Sequence, residues 1–190
     1  MPLTALDPVT ALIVIDLQNG ITGHPLIHPL SGVIERTREL IHAFRAKNLP
    51  VVLVNVAGRA PGRTEQAPRS SLAFTEGWAE LLPELGQQPS DIVVTKRSWG
   101  AFATTDLEAQ LKAKRVTHVV VAGVATSVGV EATARQAYEQ GFNVTLALDA
   151  MTDGSMEAHE HSVRNIFPRL GETGTTQEII SLLIQRSSIA

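Results

Sequence analysis

Cysteine is absent from the 190 residues, which excludes disulfides, thiolate nucleophiles and cysteine-ligated metals outright. Aromatic residues are scarce at 4%. Charge is also sparse: 16 Lys and Arg stand against 19 Asp and Glu, for a net charge of −3, with no basic run. Nucleic acid and anionic membrane therefore have no electrostatic footprint to bind, and a small-molecule partner is expected. No apolar stretch nears the roughly 18 to 20 residues of a membrane span, and Met1 to Asp7 lacks the basic and apolar regions of a signal peptide. The expectation is a cytoplasmic location.

What is present is globular material. Hydrophobic residues make up 44% of a length suited to one domain, residues 1–190, which would bury roughly 70% of its extended surface. Apolar runs bounded by turn residues recur at Ala11–Asp16, Val51–Val56, Asp91–Lys96, Thr117–Gly123 and Asn143–Asp149. Such runs read as buried parallel strands. Between them Val33, Leu40, Ile41 and Phe44 fall on one helical face, Ala132 to Gln140 reads as a helix stopped by Gly141, and Thr105/Glu108 and Thr175/Glu178 have capping-box spacing. Alternating strands and helices predict right-handed crossovers and a sheet covered on both faces: α/β, three layers, doubly wound. The segment 57–90 breaks the rhythm, and its Gly58, Pro61, Gly62 and Pro68 mark it as a loop that walls a pocket.

Ligands of open α/β sheets bind beyond the carboxyl ends of the strands, so the residues ending each strand are the first candidates. Asp16 closes the run Ala-Leu-Ile-Val-Ile, where desolvation raises a carboxyl pKa and suits it to general acid or base work; the competing reading is a cap on the turn Leu17–Gly20. Lys96 ends the third strand and can hold an anion or tune Asp16, against the plainer reading of a solvated lysine. The fourth strand runs through Gly123 into 124–131 ahead of a helix, where free N–H groups can receive a carboxylate or oxyanion. Gly129 there needs close packing or close ligand approach as its reason.

Other signals are weak. No phosphate-binding glycine loop follows a strand, so no nucleotide cofactor is expected. His159-Glu160-His161 puts its histidines at i and i+2, on different sides of a helix, and no metal is expected there. His24, His28, His42 and His118 have no ligand spacing and read as surface or loop residues.

Asp16 in Ile-Asp-Leu-Gln-Asn-Gly, Lys96 in Thr-Lys-Arg-Ser-Trp-Gly-Ala-Phe and the Gly-Val-Ala-Thr junction at 123–126 resemble the isochorismatase-like hydrolase family in motif, order and spacing. So do the run Val130–Arg135, the Gly141-Phe142 break and Asp149-Ala150, placed at the end of the fifth strand. The resemblance implies a Rossmann-like α/β/α fold with about six parallel strands, a non-proline cis peptide between Val124 and Ala125, and homo-oligomers. Most members resemble nicotinamidase and use an Asp–Lys–Cys triad; Gly129 stands at the cysteine position here. The nicotinamidase-type Asp-x-His metal motif is also missing, since this chain reads Asn55-Val56-Ala57.

Cysteine-dependent amidase chemistry is thereby excluded, and the resemblance narrows to isochorismatase itself, which hydrolyses a vinyl ether without a covalent intermediate. In that reading Asp16 delivers a proton, Lys96 holds Asp16 or a substrate carboxylate, and Gly129 makes room. Gln18, Trp99, Phe102, Val124, Ala125, Thr126, Arg59 and Arg63 are the substrate-binding candidates, arginine because its fork binds carboxylates bidentately. Two rivals stand beside it. One is an inactive family member that binds a metabolite or only oligomerises. The other is a serine hydrolase built on Ser127, with Asp149 and His161 following in α/β-hydrolase order.

Overall fold

The computed structural model describes residues 3–65 and 74–185, so Pro68 lies outside the described residues. Six parallel strands form one sheet: β1 (Thr10–Ile15), β2 (Val51–Val56), β3 (Ile92–Lys96), β4 (His118–Val124), β5 (Asn143–Thr152) and β6 (Glu172–Gly174). Their order is β3-β2-β1-β4-β5-β6. Every residue of β1 and β4 is buried, as unbroken Val/Ile/Leu/Ala runs require when helices cover both faces of a parallel sheet. Strand order reverses between β1 and β4, and such a switch point is where open α/β sheets take their ligands.

The α-helices among the described residues are α1 (Asn19–Thr22), α2 (Leu30–Ala46), α3 (Leu107–Ala113), α4 (Glu131–Glu139), α5 (Met156–His161) and, after β6, α6 (Thr176–Gln185). Side chains alternate across β1, so Leu12 and Val14 join the core under α2 and α6, while Ala11, Ile13 and Ile15 join the core under α3 and α4. The stripe Val33, Leu40, Ile41 and Phe44 buries itself as its spacing predicts, with Thr37 filling the same face. No helix among the described residues is long and apolar enough to cross a membrane.

Two local expectations are corrected. Thr175 and Glu178 do form a capping box: the Thr175 N–H donates to Glu178 Oε2 at 2.7 Å and the Glu178 N–H to Thr175 Oγ1 at 3.3 Å. Thr105 and Glu108 do not. The Thr105 hydroxyl donates to the Ala101 carbonyl and accepts from Leu107 N–H, while Glu108 turns to Lys112 one turn on. The fifth strand also passes Asp149 and ends at Thr152, because an irregular stretch lets it re-pair, with Gly123 opposite Met151. Asp149 is not a site residue at all: its Oδ1 accepts from the backbone N–H and hydroxyl of Thr176 at 2.7 and 2.9 Å, at the start of α6.

Candidate active site

Asp16 follows the last residue of β1, where its backbone N–H donates to the Val54 carbonyl of β2 and its φ of 51° is left-handed, a region aspartate tolerates better than most residues. Lys96 ends β3 two strands away, buried on the face that carries Ile92 and Val94 into the core. The two meet. Lys96 Nζ donates to Asp16 Oδ2 at 2.7 Å and to the Ser98 carbonyl at 3.2 Å. Both are buried, Asp16 5% exposed and Lys96 2%. Neither the turn cap nor the solvated lysine survives as the explanation of these residues.

The remaining carboxylate oxygen, Asp16 Oδ1, is buried without a hydrogen-bond partner. Burial pushes the Asp16 carboxyl up to about 6, against the charge and hydrogen bond of Lys96, which pull it down. With Oδ2 held by the ammonium, Oδ1 is the atom left to carry the proton.

The third wall comes from β4. At Gly123 the φ is 117°, and a Cβ would lie 2.1 Å from the Ile15 carbonyl oxygen, so only glycine lets β4 pass this close to β1. The next peptide bond, Val124–Ala125, is cis. A π-helical turn, Thr126–Val130, then leads into α4, with the N–H groups of Val128 and Val130 both donating to the Ala125 carbonyl. Gly129 sits in this turn against the carboxylate: a Cβ there would lie 3.2 Å from Asp16 Oδ2 and 2.8 Å from Ile15 Cγ2. Close packing is therefore the reason for this glycine, and what it packs against is the acid.

Several candidates move elsewhere. Gln18 is a structural tie, since its side-chain amide donates to the carbonyls of Val56 and Trp78 and accepts from Val56 N–H, fully buried. Phe102 is a core residue, tilted against Phe142 with ring centroids 5.9 Å apart. Thr126 spends its hydroxyl on the Thr152 carbonyl and on His159 Nδ1. Val124 is buried, Ala125 half-buried, and Arg59, Arg63 and Trp99 are exposed, Trp99 at 67%.

The serine-hydrolase constellation is not assembled. The Ser127 hydroxyl donates to Asp153 at 2.8 Å rather than to a histidine, Asp149 serves α6, and His161 is exposed at the end of α5, beside Asn165. His118 is buried rather than superficial, bonded to Thr145 at 2.8 Å. Among the described residues no group of three His, Asp or Glu is placed to hold a metal ion.

Sequence reasoning missed Asp153, whose carboxylate takes the backbone N–H and hydroxyl of Ser127 and the N–H of Ser155. It also missed His159, which packs edge-on to His28 at 5.0 Å; burial holds its pKa below the usual histidine range, with His28 adding to the effect. Neither follows a periodicity or a known spacing, and only the extended β5 brings Asp153 to the turn.

Residues 10–178 match the isochorismatase domain. The chain belongs to the isochorismatase family. It is 41% identical to the uncharacterized isochorismatase family protein YwoC of Bacillus subtilis, over 90% of this chain and 92% of that one. An isochorismatase family protein of Burkholderia thailandensis has the same fold, with a TM-score of 0.90 and 40% identity, covering 95% of this chain and 98% of its own. Family relatives include hydrolases: the ureidoacrylate amidohydrolase RutB of Acinetobacter baylyi is 28% identical over 95% of this chain and 86% of its own.

Proposed function

We propose that this family member is a cysteine-independent hydrolase in which Asp16 is the proton donor for cleavage of a small, carboxylate-bearing vinyl ether. The observation that carries this reading is the buried Asp16 carboxyl at the switch point, with Oδ2 held by Lys96, Oδ1 unpartnered and Gly129 packed against the carboxylate. A carboxyl pushed up to about 6 is a competent acid near neutral pH. The ammonium of Lys96 beside it favours an anionic substrate.

The steps balance without a covalent enzyme intermediate. The Asp16 Oδ1 proton passes to the methylene carbon of an enolpyruvyl ether, leaving an oxocarbenium ion. Water adds to the cationic carbon and returns a proton to Asp16. The hemiketal collapses to pyruvate and the free alcohol. Lys96 keeps the developing carboxylate in place, and the buried site keeps bulk water from competing for the proton.

The test is direct. Isochorismate and simpler enolpyruvyl ethers are incubated with the protein, and pyruvate is followed by coupled reduction with lactate dehydrogenase. Release well above that of the Asp16→Asn variant supports the reading. Equal release from both sinks it and leaves a metabolite-binding or assembling member of the family.

A further inference from the structure

The segment after Lys96, Ser98-Trp99-Gly100-Ala101-Phe102, is part of the family motif, yet no side chain in it reaches Asp16 directly. Its backbone does something else. The Ser98 carbonyl is the second acceptor of the Lys96 ammonium, at 3.2 Å. Three residues on, the Ala101 N–H donates to Thr133 Oγ1 at 3.1 Å, and the Phe102 N–H donates to Gln136 Oε1 at 2.9 Å. Thr133 and Gln136 stand at i and i+3 on α4, so one face of that helix receives two successive backbone donors. Gly100 allows the approach, since a Cβ there would lie 2.3 Å from Gln136 Oε1.

Thr133 also works in the other direction. Its hydroxyl donates to the Gly129 carbonyl at 2.7 Å, inside a fully buried contact. One hydroxyl thus joins the turn that packs Gly129 against Asp16 to the loop that holds the ammonium of Lys96. The loop is otherwise braced from within: Ser98 Oγ donates to the Gly100 carbonyl and Thr105 Oγ1 to the Ala101 carbonyl.

We propose that Thr133, seconded by Gln136, is a positioning residue that fixes the distance between Lys96 and Asp16 by docking the 97–105 loop onto α4. The inference rests on the reading of Asp16 as the acid. It concerns what holds that acid's partner rather than what the acid attacks. Lys96 is the ionisable group whose charge acts on Asp16, and it opposes the effect of burial. Loosening the loop lets the ammonium withdraw, and the carboxyl then titrates higher.

The experiment reads the Asp16 carboxyl itself and needs no substrate. Protein labelled with ¹³C at the aspartate carboxyls is titrated by NMR, with Asp16 assigned by the signal lost in Asp16→Asn. Thr133→Val, which keeps the shape and removes the hydroxyl, moves the Asp16 midpoint upward by on the order of 0.5 pH or more. Thr133→Ser restores the hydroxyl and returns the midpoint to the parent's. Gln136→Leu moves it in the same direction by less, and carries the test alone if Thr133→Val does not fold. A folded Thr133→Val with an unmoved midpoint overturns the proposal, as does a Thr133→Ser that behaves like Thr133→Val. Absence of pyruvate from the parent protein would sink the vinyl-ether reading while leaving this titration intact, so the two failures are distinguishable.

Discussion

The sheet carries an aspartate cluster at each end, and the two are built on opposite terms. At the amino end Asp7 accepts from the Thr117 hydroxyl at 2.7 Å and the Asn143 amide at 3.0 Å, with the His118 ring 3.7 Å away. Burial works to raise its pKa, but those hydrogen bonds and His118 together outweigh it, and Asp7 is held below the usual carboxylate range. At the carboxyl end Asp16 is more deeply buried, has one partner and leaves Oδ1 with none, and its pKa rises to about 6. A satisfied carboxylate fastens the fold and stays ionised. An under-satisfied one is destabilised as an anion, and that is what makes it an acid.

The sharpest way to break the comparison is to remove the acid. Asp16→Asn keeps the volume and removes the transferable proton, so pyruvate release should fall by about 10² to 10⁴-fold, the usual worth of a positioned general acid. In the parent protein the rate should fall as pH rises through about 6, the pKa of the group that must stay protonated. A rate independent of pH between 5 and 8 would assign the proton to another donor.

Lys96→Met probes the same end through its counter-charge. Losing one partner of a buried pair costs about 3–5 kcal/mol where the other must stay charged. Asp16 can instead take up a proton, so the loss measured by urea unfolding should be largest above pH 7 and shrink toward pH 5. The sign follows from linkage: a carboxyl raised from 3.8 to about 6 binds its proton more tightly folded than unfolded, so its contribution to stability declines as pH rises across that window. Without Lys96 the carboxyl titrates higher still, and the upper limb of the rate profile moves to higher pH. An equal loss at pH 5 and pH 8 would mean that packing of the lysine stem, not charge, holds the site.

Much of this was legible in the residues, and where legibility stopped has a physical cause. Parallel strands announce themselves as unbroken apolar runs, so the strand ends and with them Asp16 and Lys96 could be found without coordinates. Gln18 and Phe102 lie in the same motifs, yet one side chain ties backbone groups and the other joins the core, because sequence proximity to a site says nothing about which way a side chain points. The burial of His118 is invisible in the sequence because its partners Asp7 and Thr145 are distant in the chain. Asp153 and Thr133 are illegible for the same reason: each bonds to a residue distant in the chain, Ser127 and Ala101, where no periodicity reports it.

Gly129 sharpens the comparison from the packing side. A methyl group added there meets Ile15 Cγ2 at 2.8 Å and Asp16 Oδ2 at 3.2 Å, and the β-branched Ile15 has little room to yield. Gly129→Ala should therefore cost about 1–3 kcal/mol by overpacking, and it should lower turnover because the acid is what gets displaced. Measured unfolding midpoints and pyruvate release should fall together. A stable, fully active alanine variant would show that the carboxylate does not depend on this contact.

The smallest effect belongs to the satisfied end. Asp7→Ala removes an acceptor from Thr117 and Asn143 at a half-exposed site, which should cost about 1–2 kcal/mol at neutral pH and leave turnover unchanged. Here the linkage sign is reversed. A carboxyl held below its ordinary value contributes stability that is present above the unfolded pKa and disappears as pH falls through the folded one, so parent and variant should converge in acid. The same scan that shows Asp16 stability declining upward through about 6 should thus show the Asp7 contribution declining as pH falls through and below the usual carboxylate range. Finding both slopes with one sign would mean that the two ends of the sheet are not built on opposite terms.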